Sequence, residues 1–600
     1  MTSYINQQNG IFSSVCSLDC PDQCGLLLHK KDGKIVKVEG DPNHPVTKGN
    51  ICNKVRNMTE RIYDEKRLKY PLKRIGAKGE GTFERISWEE AIHTITSQWK
   101  ELIQNHGPES ILPYSFYGNM GNLTAEGMDR RFFHRLGASR LDRTICTTAA
   151  GVGYKYTMGS SLGIDPEDTI QSKLMIFWGI NAVSTNMHQT TLAQKARKDN
   201  GAKIIVIDVH RNQTAKFADW FIPILPGTDS ALALGIMHIL FAEKMVDTSF
   251  LEEYTVGHEE LREHVVQYDP NTVSEITGVP VEDIYKLARM YGNTSPSYIR
   301  IGNGPQHHDN GGMFVRTISC LPALTGQWLL KGGGAIKSNS GYLEYNSERL
   351  QRPDLLKDKD TRVINMNLLG ETLLSLEQPI RSLYVYSCNP AVVAPNGNKV
   401  RKGLEREDLF TVVHDLFLTE TAKYADIVLP ATSSYENTDF YTSYWHLFMQ
   451  IQEPIIEPFG ESKSNVDVFR LLAKEMGFDE PTFQETEAEM ITQSLDHPSN
   501  PYIEGISYEA LVEKQYVKAN VKPLFPGKLK TPSGKIELYS NQMKEDGYPA
   551  LPTYIPLVKD GDFPFLFVPA PNHNFLNSTF SNNSKHQALE KEPLLHMNQN

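Results

Sequence analysis

Four of the seven cysteines, Cys16, Cys20, Cys24 and Cys52, fall near the start of the chain with the spacing C-x3-C-x3-C-x27-C. Three sulfurs four positions apart converge on one centre if their loop wraps around it, and a fourth arrives from the far end of a hairpin. Four thiolates gathered in this way are the usual ligand set of a cubane iron–sulfur cluster. Spacing alone leaves two alternatives open. Structural zinc pairs its ligands as two C-x2-4-C knuckles, whereas here three cysteines cluster against one distant. Disulfides suit a secreted chain, and the opening MTSYINQQNGIFSSVC has no basic n-region, long apolar stretch or twin-arginine pair. A cytoplasmic setting, in which free thiols survive, is the expectation. Cys320 and Cys388 lie in apolar or strand-like surroundings and read as buried, inert thiols.

A ligand loop needs a frame. Leu26-Leu27-Leu28 leads to Lys31-Asp32-Gly33, with Ile35, Val36 and Val38 beyond. Asp-Gly between apolar runs predicts a β-hairpin. A second turn, Asp41-Pro42-Asn43-His44-Pro45, then returns the chain to Cys52.

The middle of the chain carries a repeat. One copy reads KLMIFWGINA (173–182) and KIIVIDVHRNQTAKFADWFIPI (203–224); the other reads SLYVYSCNPA (382–391) and LFTVVHDLFLTETAKYADIVLP (409–430). Asn181 precedes Asp208 by 27 positions, and Asn389 precedes Asp415 by 26. In both copies a Thr begins six residues after that Asp (Thr214, Thr421), and a second Asp follows at eleven (Asp219, Asp426). Each copy predicts a buried strand, a polar loop, a helix and a second strand ending in Asp. That is the pattern of a nucleotide-binding half, whose ligand lies beyond the carboxyl ends of the strands and whose Asp binds ribose hydroxyls. Duplicated scaffold without a ligand is the plainer alternative. Neither copy has a G-x-x-x-x-G-K-[ST] loop, which excludes an ATPase of that type.

Glycine-rich loops surround the repeats. Pro226-Gly227-Thr228-Asp229 precedes an apolar helical stretch from Ala231 to Phe241, IGNGPQHHDNGG (301–312) follows a strand, and Lys331-Gly332-Gly333-Gly334 is a third. Such loops let backbone N–H groups approach phosphate closely. At 600 residues the chain exceeds a single core and predicts several domains. Its net charge of −11 argues against nucleic acid as a partner. No apolar run reaches the roughly 18 residues of a membrane span.

A four-cysteine start followed by duplicated dinucleotide halves resembles the molybdopterin oxidoreductases of the dimethyl sulfoxide reductase family. The resemblance spans nearly the whole chain through CSLDCPDQCG (16–25), GNICNK (49–54), RTICTTAAGVG (143–153), FWGIN (177–181) and VIDVHRNQTAKFAD (206–219). It continues through LPGTDSALALG (225–235), IGNGPQHHDNGG (301–312), SCNPAVVAPN (387–396), DLFLTETAKYADIVLP (415–430) and TPSGKIEL (531–538). It implies a [4Fe-4S] cluster on the four cysteines and a bis-molybdopterin guanine dinucleotide holding molybdenum or tungsten. By position, Cys146 is the implied metal ligand, a soft thiolate suited to a polarisable metal. Asn181, Asp208, Gly227 and Asp229 are implied for one dinucleotide, and Asn389 and Asp415 for the other. Gly304, Gln306 and His307 would line the metal cavity, with His307 or His308 as acid–base groups. Lys54 matches the lysine between cluster and pterin. Formate dehydrogenases of the family carry a histidine directly after the cysteine or selenocysteine ligand; Thr147 stands there, which argues against formate oxidation. Val55 replaces the glycine that usually follows the lysine.

The implied fold is α/β and multidomain. Residues 1–62 form an iron–sulfur domain, and 63–140 plus 335–480 an α/β domain with the second dinucleotide half. Residues 141–334 form an α/β domain with the first half, and 481–560 a connecting segment returning to it. Residues 561–600 begin a C-terminal β-barrel domain that stops short, with 563–585 as its opening strand and pterin-contacting loop. The implied activity is two-electron or oxygen-atom-transfer chemistry on a small molecule, with electrons relayed through the cluster to or from a protein partner. The rivals are a non-catalytic iron–sulfur electron-transfer subunit and a non-redox hydratase on the same scaffold.

Overall fold

The computed structural model describes residues 4–375, 377–558, 561–563 and 565–597. The architecture is mixed α/β in several sheets. The N-terminal lobe is the antiparallel sheet β1 (Gly10–Val15), β2 (Gly25–Lys31) and β3 (Lys34–Gly40). Asp32 and Gly33 join β2 to β3 with φ of 48° and 77°, the left-handed pair that a two-residue hairpin turn demands. Past β3, Gly40 packs so tightly on Gly49 that a Cβ there would lie 2.4 Å from its carbonyl oxygen. That close approach folds the 41–49 turn back and delivers Cys52 to the other cysteines.

The first large sheet contains β4 (Leu174–Trp178), β5 (Lys203–Asp208), β6 (Trp220–Pro223), β7 (Ser297–Ile301) and β8 (Gly334–Ile336). All are parallel, in the spatial order β6-β5-β4-β7-β8. Every residue of β4 and β7 is buried, as expected of a parallel sheet covered on both faces. The helices α1 (Thr148–Met158), α2 (Met187–Asn200), α3 (Asp229–Ala242) and α4 (Gly311–Leu324) accompany this sheet. The apolar stretch predicted between Ala231 and Phe241 is the body of α3, nearly all of it buried. The chain winds outward from β4 in one direction and from β7 in the other, so the sheet reverses between them.

The second large sheet repeats this plan with β9 (Ser382–Tyr386), β10 (Phe410–Asp415) and β11 (Ile427–Pro430), and with helix α5 (Gly397–Leu404) between β9 and β10. Parallel strand Ile111–Tyr114 lies beside β9, and antiparallel Leu72–Arg74 and Phe83–Arg85 extend the β11 edge. Here the parallel strands Ile111–Tyr114, β9, β10 and β11 lie side by side in chain order. Late in the chain, Ile536–Glu537 pairs with Thr255–Val256. No described helix is long and apolar enough to cross a membrane.

One expectation needs correcting. Among the described residues of 561–600 no strand forms; the regular elements are helix Ser584–Glu590 and an isolated bridge between Leu576 and Thr579. A strand needs a neighbour to take its ladder hydrogen bonds. None flanks Phe563 or residues 565–568 among the described residues, and Phe563 and Phe567 stay 71% and 77% exposed.

Candidate functional site

Cys16 and Cys24 flank a loop closed by Cys16 N donating to the Cys24 carbonyl at 2.9 Å. All four N-terminal thiols are free; Cys16 feels the charge of Cys52, Cys20 that of Cys16 and Cys52, and Cys24 that of the other three. Burial and this mutual repulsion push Cys16 up to about 12 and hold Cys20 and Cys24 well above the ordinary thiol range. Thiols raised in this way become thiolates around a cationic centre, and together with Cys52 they supply the four-sulfur donor set that fits an iron–sulfur cluster.

The two large sheets reproduce each other down to single hydrogen bonds. Asn181 follows β4 and begins a helical turn; its side-chain oxygen accepts from Thr214 Oγ1 at 3.0 Å, and Thr214 Oγ1 accepts from Val183 N at 3.1 Å. Asn389 follows β9 in the same way, with Thr421 Oγ1 at 2.6 Å and Ala391 N at 3.0 Å. Asp219 Oδ2 accepts from Ile204 N at 2.8 Å, and Asp426 Oδ2 from Thr411 N at 2.7 Å, in each case at the second residue of the next strand. The asparagines therefore shape the strand-end loops, with their side-chain oxygens already engaged. Asp208 and Asp415 end β5 and β10, both raised by burial, Asp415 to about 6 beside the opposing charge of Arg61. Asp208 accepts from His210 N and Asn212 Nδ2; Asp415 accepts from Leu416 N at 2.6 Å. Gly227 has φ of 73°, and its carbonyl accepts from Asn310 Nδ2 at 2.7 Å. Asp229 is buried and raised to about 7, accepting from Trp178 Nε1 at 2.9 Å.

Cys146 sits two residues before α1, where a helix N-terminus favours a thiolate. Its carbonyl accepts from Gln306 Nε2 at 2.7 Å and lies 3.0 Å from His307 Nε2. A carbonyl only accepts, so that ring nitrogen carries the hydrogen and His307 Nδ1 is left to take a proton. Gln306 and His307 belong to the loop after β7, in the same turn as Gly304. Three residues before Cys146, Arg143 Nε and Nη2 donate to Ser115 O and Oγ at 2.9 and 3.0 Å, directly after strand Ile111–Tyr114. The Cys146 loop is thus tied to the carboxyl end of a parallel strand in each sheet. Burial raises the Cys146 thiol to about 12, with Asp19 adding to the rise and Lys337 opposing it.

The cluster loop and the first half touch. Cys20 Sγ lies 3.9 Å from Thr185 O. Lys54 Nζ donates to His573 O at 2.9 Å, His573 Nδ1 lies 2.7 Å from Ser184 Oγ, and Ser184 accepts from Asn181 Nδ2 at 3.1 Å. On the other side, Asn389 Nδ2 donates to Ser578 Oγ at 3.2 Å. The 573–578 segment therefore bridges both asparagines.

Three features depart from the sequence reading. The glycines at 332–334 lie at the amino end of β8, away from the carboxyl ends where ligands bind, and Ser172 Oγ closes that turn at 2.5 Å. Cys388 is only half-buried, although Cys320 is fully enclosed. Lys337 and Asp19 were not legible as site residues: a lysine after an edge strand and an acid in a cysteine loop look like surface groups. Lys337 is 5% exposed, lowered to about 7 by burial, and donates to Thr147 Oγ1 and Asn303 Oδ1 at 3.0 and 2.6 Å.

Comparison with known proteins gives the same picture. Residues 67–475 match the family described as molybdopterin oxidoreductase, and residues 11–64 match the molybdopterin oxidoreductase Fe4S4 domain. The latter decides for a cluster over zinc. The chain is similar to the probable oxidoreductase YoaE of Bacillus subtilis, 72% identical over 599 residues, covering 100% of this chain and 88% of that protein. It is 31% identical to the dimethyl sulfoxide reductase DmsA of Haemophilus influenzae, covering 90% of this chain and 75% of the relative. Among solved structures, acetylene hydratase from Pelobacter acetylenicus matches with a TM-score of 0.78 and 25% identity, covering 96% of this chain and 85% of that one.

Proposed function

The chain belongs to the molybdopterin oxidoreductase family, and from that premise we propose that it performs two-electron chemistry, oxygen-atom transfer in particular, at a metal held by Cys146. It is an enzyme of that family, with molybdopterin and a [4Fe-4S] cluster as cofactors. When bound, the pterin-held metal supplies a two-electron redox centre with Lewis acidity. The observation that carries the reading is the double tether of the Cys146 loop, through Arg143 to the end of strand Ile111–Tyr114 in one sheet and through Gln306 and His307 to the loop after β7 in the other.

The chain's own groups then have distinct tasks. Cys146 offers a soft thiolate at a helix N-terminus. Cys16, Cys20, Cys24 and Cys52 hold the cluster, which exchanges single electrons with a protein partner. Lys54 stands between cluster and pterin and offsets negative charge moving past it. Asn181 and Asn389 hold the strand-end loops open for the two dinucleotide tails of a bis-guanine dinucleotide form. Asp208 and Asp415 are placed at strand ends to accept ribose hydroxyls, with Gly227 and Asp229 beside the first tail. Gly304 and Gln306 line the metal cavity, and His307 Nδ1 takes or releases a proton there.

The test is turnover with an artificial electron donor. Reduction of a sulfoxide, N-oxide, polysulfide or nitrate should be coupled to donor oxidation and abolished in Cys146→Ala. A second reading, water addition without net redox change, draws support from the likeness to acetylene hydratase and from the half-buried Asp19 carboxyl near Cys146. Hydration of an alkyne at an undiminished rate without electron consumption, with no turnover of the oxygen-atom donors, would establish that reading instead.

A further inference from the structure

Lys337 stands directly after β8, at the carboxyl end of the sheet where the Cys146 loop and the 302–310 loop meet. Its ammonium has three hydrogens, of which two are committed to Thr147 Oγ1 and Asn303 Oδ1. Thr147 is the neighbour of Cys146, and Asn303 opens the turn that carries Gln306 and His307. One side chain therefore staples together the two loops that position Cys146.

Hydrogen bonding accounts for only part of this arrangement. The charged groups that act on Lys337 are Arg300 and Cys146, and neither is a carboxylate. Arg300 is itself buried and engaged mostly with neutral acceptors, the Asn186 amide oxygen and the carbonyls of Ile301, Ile336 and Lys337. Asp22, bonded to the same Asn186, offsets part of the Arg300 charge, whereas no carboxylate acts on Lys337, so its enclosed charge is left without a protein counter-charge, which a buried site tolerates only when an anionic group completes it. An anionic metal-donor set at Cys146 is such a group, and it favours the charged form of the lysine.

We infer that Lys337 is a positioning residue of the Cys146 site that both braces its loop and raises the reduction potential of the metal held there. The inference rests on the metal reading above. Its physics is simple: reduction adds negative charge to the centre, and an ammonium hydrogen-bonded to the residue next to Cys146 in a low-dielectric setting favours the more negative state.

The experiment is a potentiometric titration of the metal's paramagnetic signal in holoenzyme, with metal content measured alongside, for wild type, Lys337→Gln and Lys337→Arg. Gln keeps a donor for Thr147 and Asn303 but removes the charge; Arg keeps the charge. The expected result is a midpoint shifted to lower potential in Lys337→Gln and close to wild type in Lys337→Arg. Loss of metal from Lys337→Gln alone also supports the charge role, because the uncharged site then fails to hold an anionic donor set. An unchanged midpoint in a fully loaded Lys337→Gln overturns the inference, as does equal loss of metal from both variants, which would make Lys337 a brace only. Wild type that takes up neither molybdenum nor tungsten during cofactor assembly overturns the metal reading itself and this inference with it.

Discussion

The thiols of the N-terminal lobe and the thiol of Cys146 have separable consequences when removed. Cys20→Ser should abolish the electron paramagnetic resonance signal of the dithionite-reduced cluster, and an unchanged signal would refute that ligand assignment. Cys146→Ser should leave the same signal in place while turnover falls by about a hundredfold or more, since even outer-shell changes at metal sites cost about 10- to 100-fold. Stopped-assay rates and the spectrum of one preparation check both. The sequence exposed these cysteines because spacing is a one-dimensional property. It did not expose Lys337 or Asp19, whose importance lies in being enclosed, and enclosure is set by β8 and by the loop carrying Tyr444, which are far away in the chain.

At the scale of elements, the repeat is the most legible feature. Asn181 and Asn389, Thr214 and Thr421, and Asp219 and Asp426 occupy matched places in both register and hydrogen bonding. Register showed that these residues correspond. It could not show that Thr214 serves two loops at once, because those partners meet only after β4 and β5 pair. Thr214→Val should therefore leave Asn181 Oδ1 and Val183 N without their shared partner and lower stability by about 1–3 kcal/mol, measured by chemical denaturation. The same sheets bury His414, which is 1% exposed on β10 and lowered by burial to about 4. Its folded value lies below the unfolded value near 6.5, so the unfolded state binds the extra proton as pH falls from 6.5 toward 4, and stability is lost in that window. Between pH 7 and pH 5 wild type should lose about 2 kcal/mol more than His414→Gln. Denaturant midpoints for both proteins at the two pH values check this, and equal losses would show that His414 titrates normally. The opening strand that the resemblance implied within 563–585 does not form among the described residues there, because a strand exists only with a partner beside it.

For the whole molecule, the lobes must hold their positions if electrons are to pass between a cluster in one and a metal between the others. Arg67 is one such joint, fully buried, donating to Ile62 O at 2.9 Å on the N-terminal side and to Ala431 O at 3.2 Å just after β11. Its Nη1 and Nη2 hold Glu436 at 2.7 and 2.9 Å. Arg67→Met would strand a buried carboxylate and should cost about 3–5 kcal/mol, with Arg67→Met/Glu436→Leu recovering much of it; thermal and denaturant unfolding of the pair read this out. The paired sheets, the cluster lobe pressed against Thr185, and the Cys146 loop tethered to both sheets together describe a cofactor cradle. Its most direct test is the metal content of protein assembled with the pterin cofactor, measured as iron and molybdenum or tungsten per chain. The account predicts the four irons of one [4Fe-4S] cluster together with molybdenum or tungsten near one per chain, the latter lost in Cys146→Ala without loss of iron. Iron alone in a cofactor-competent wild-type preparation would contradict it.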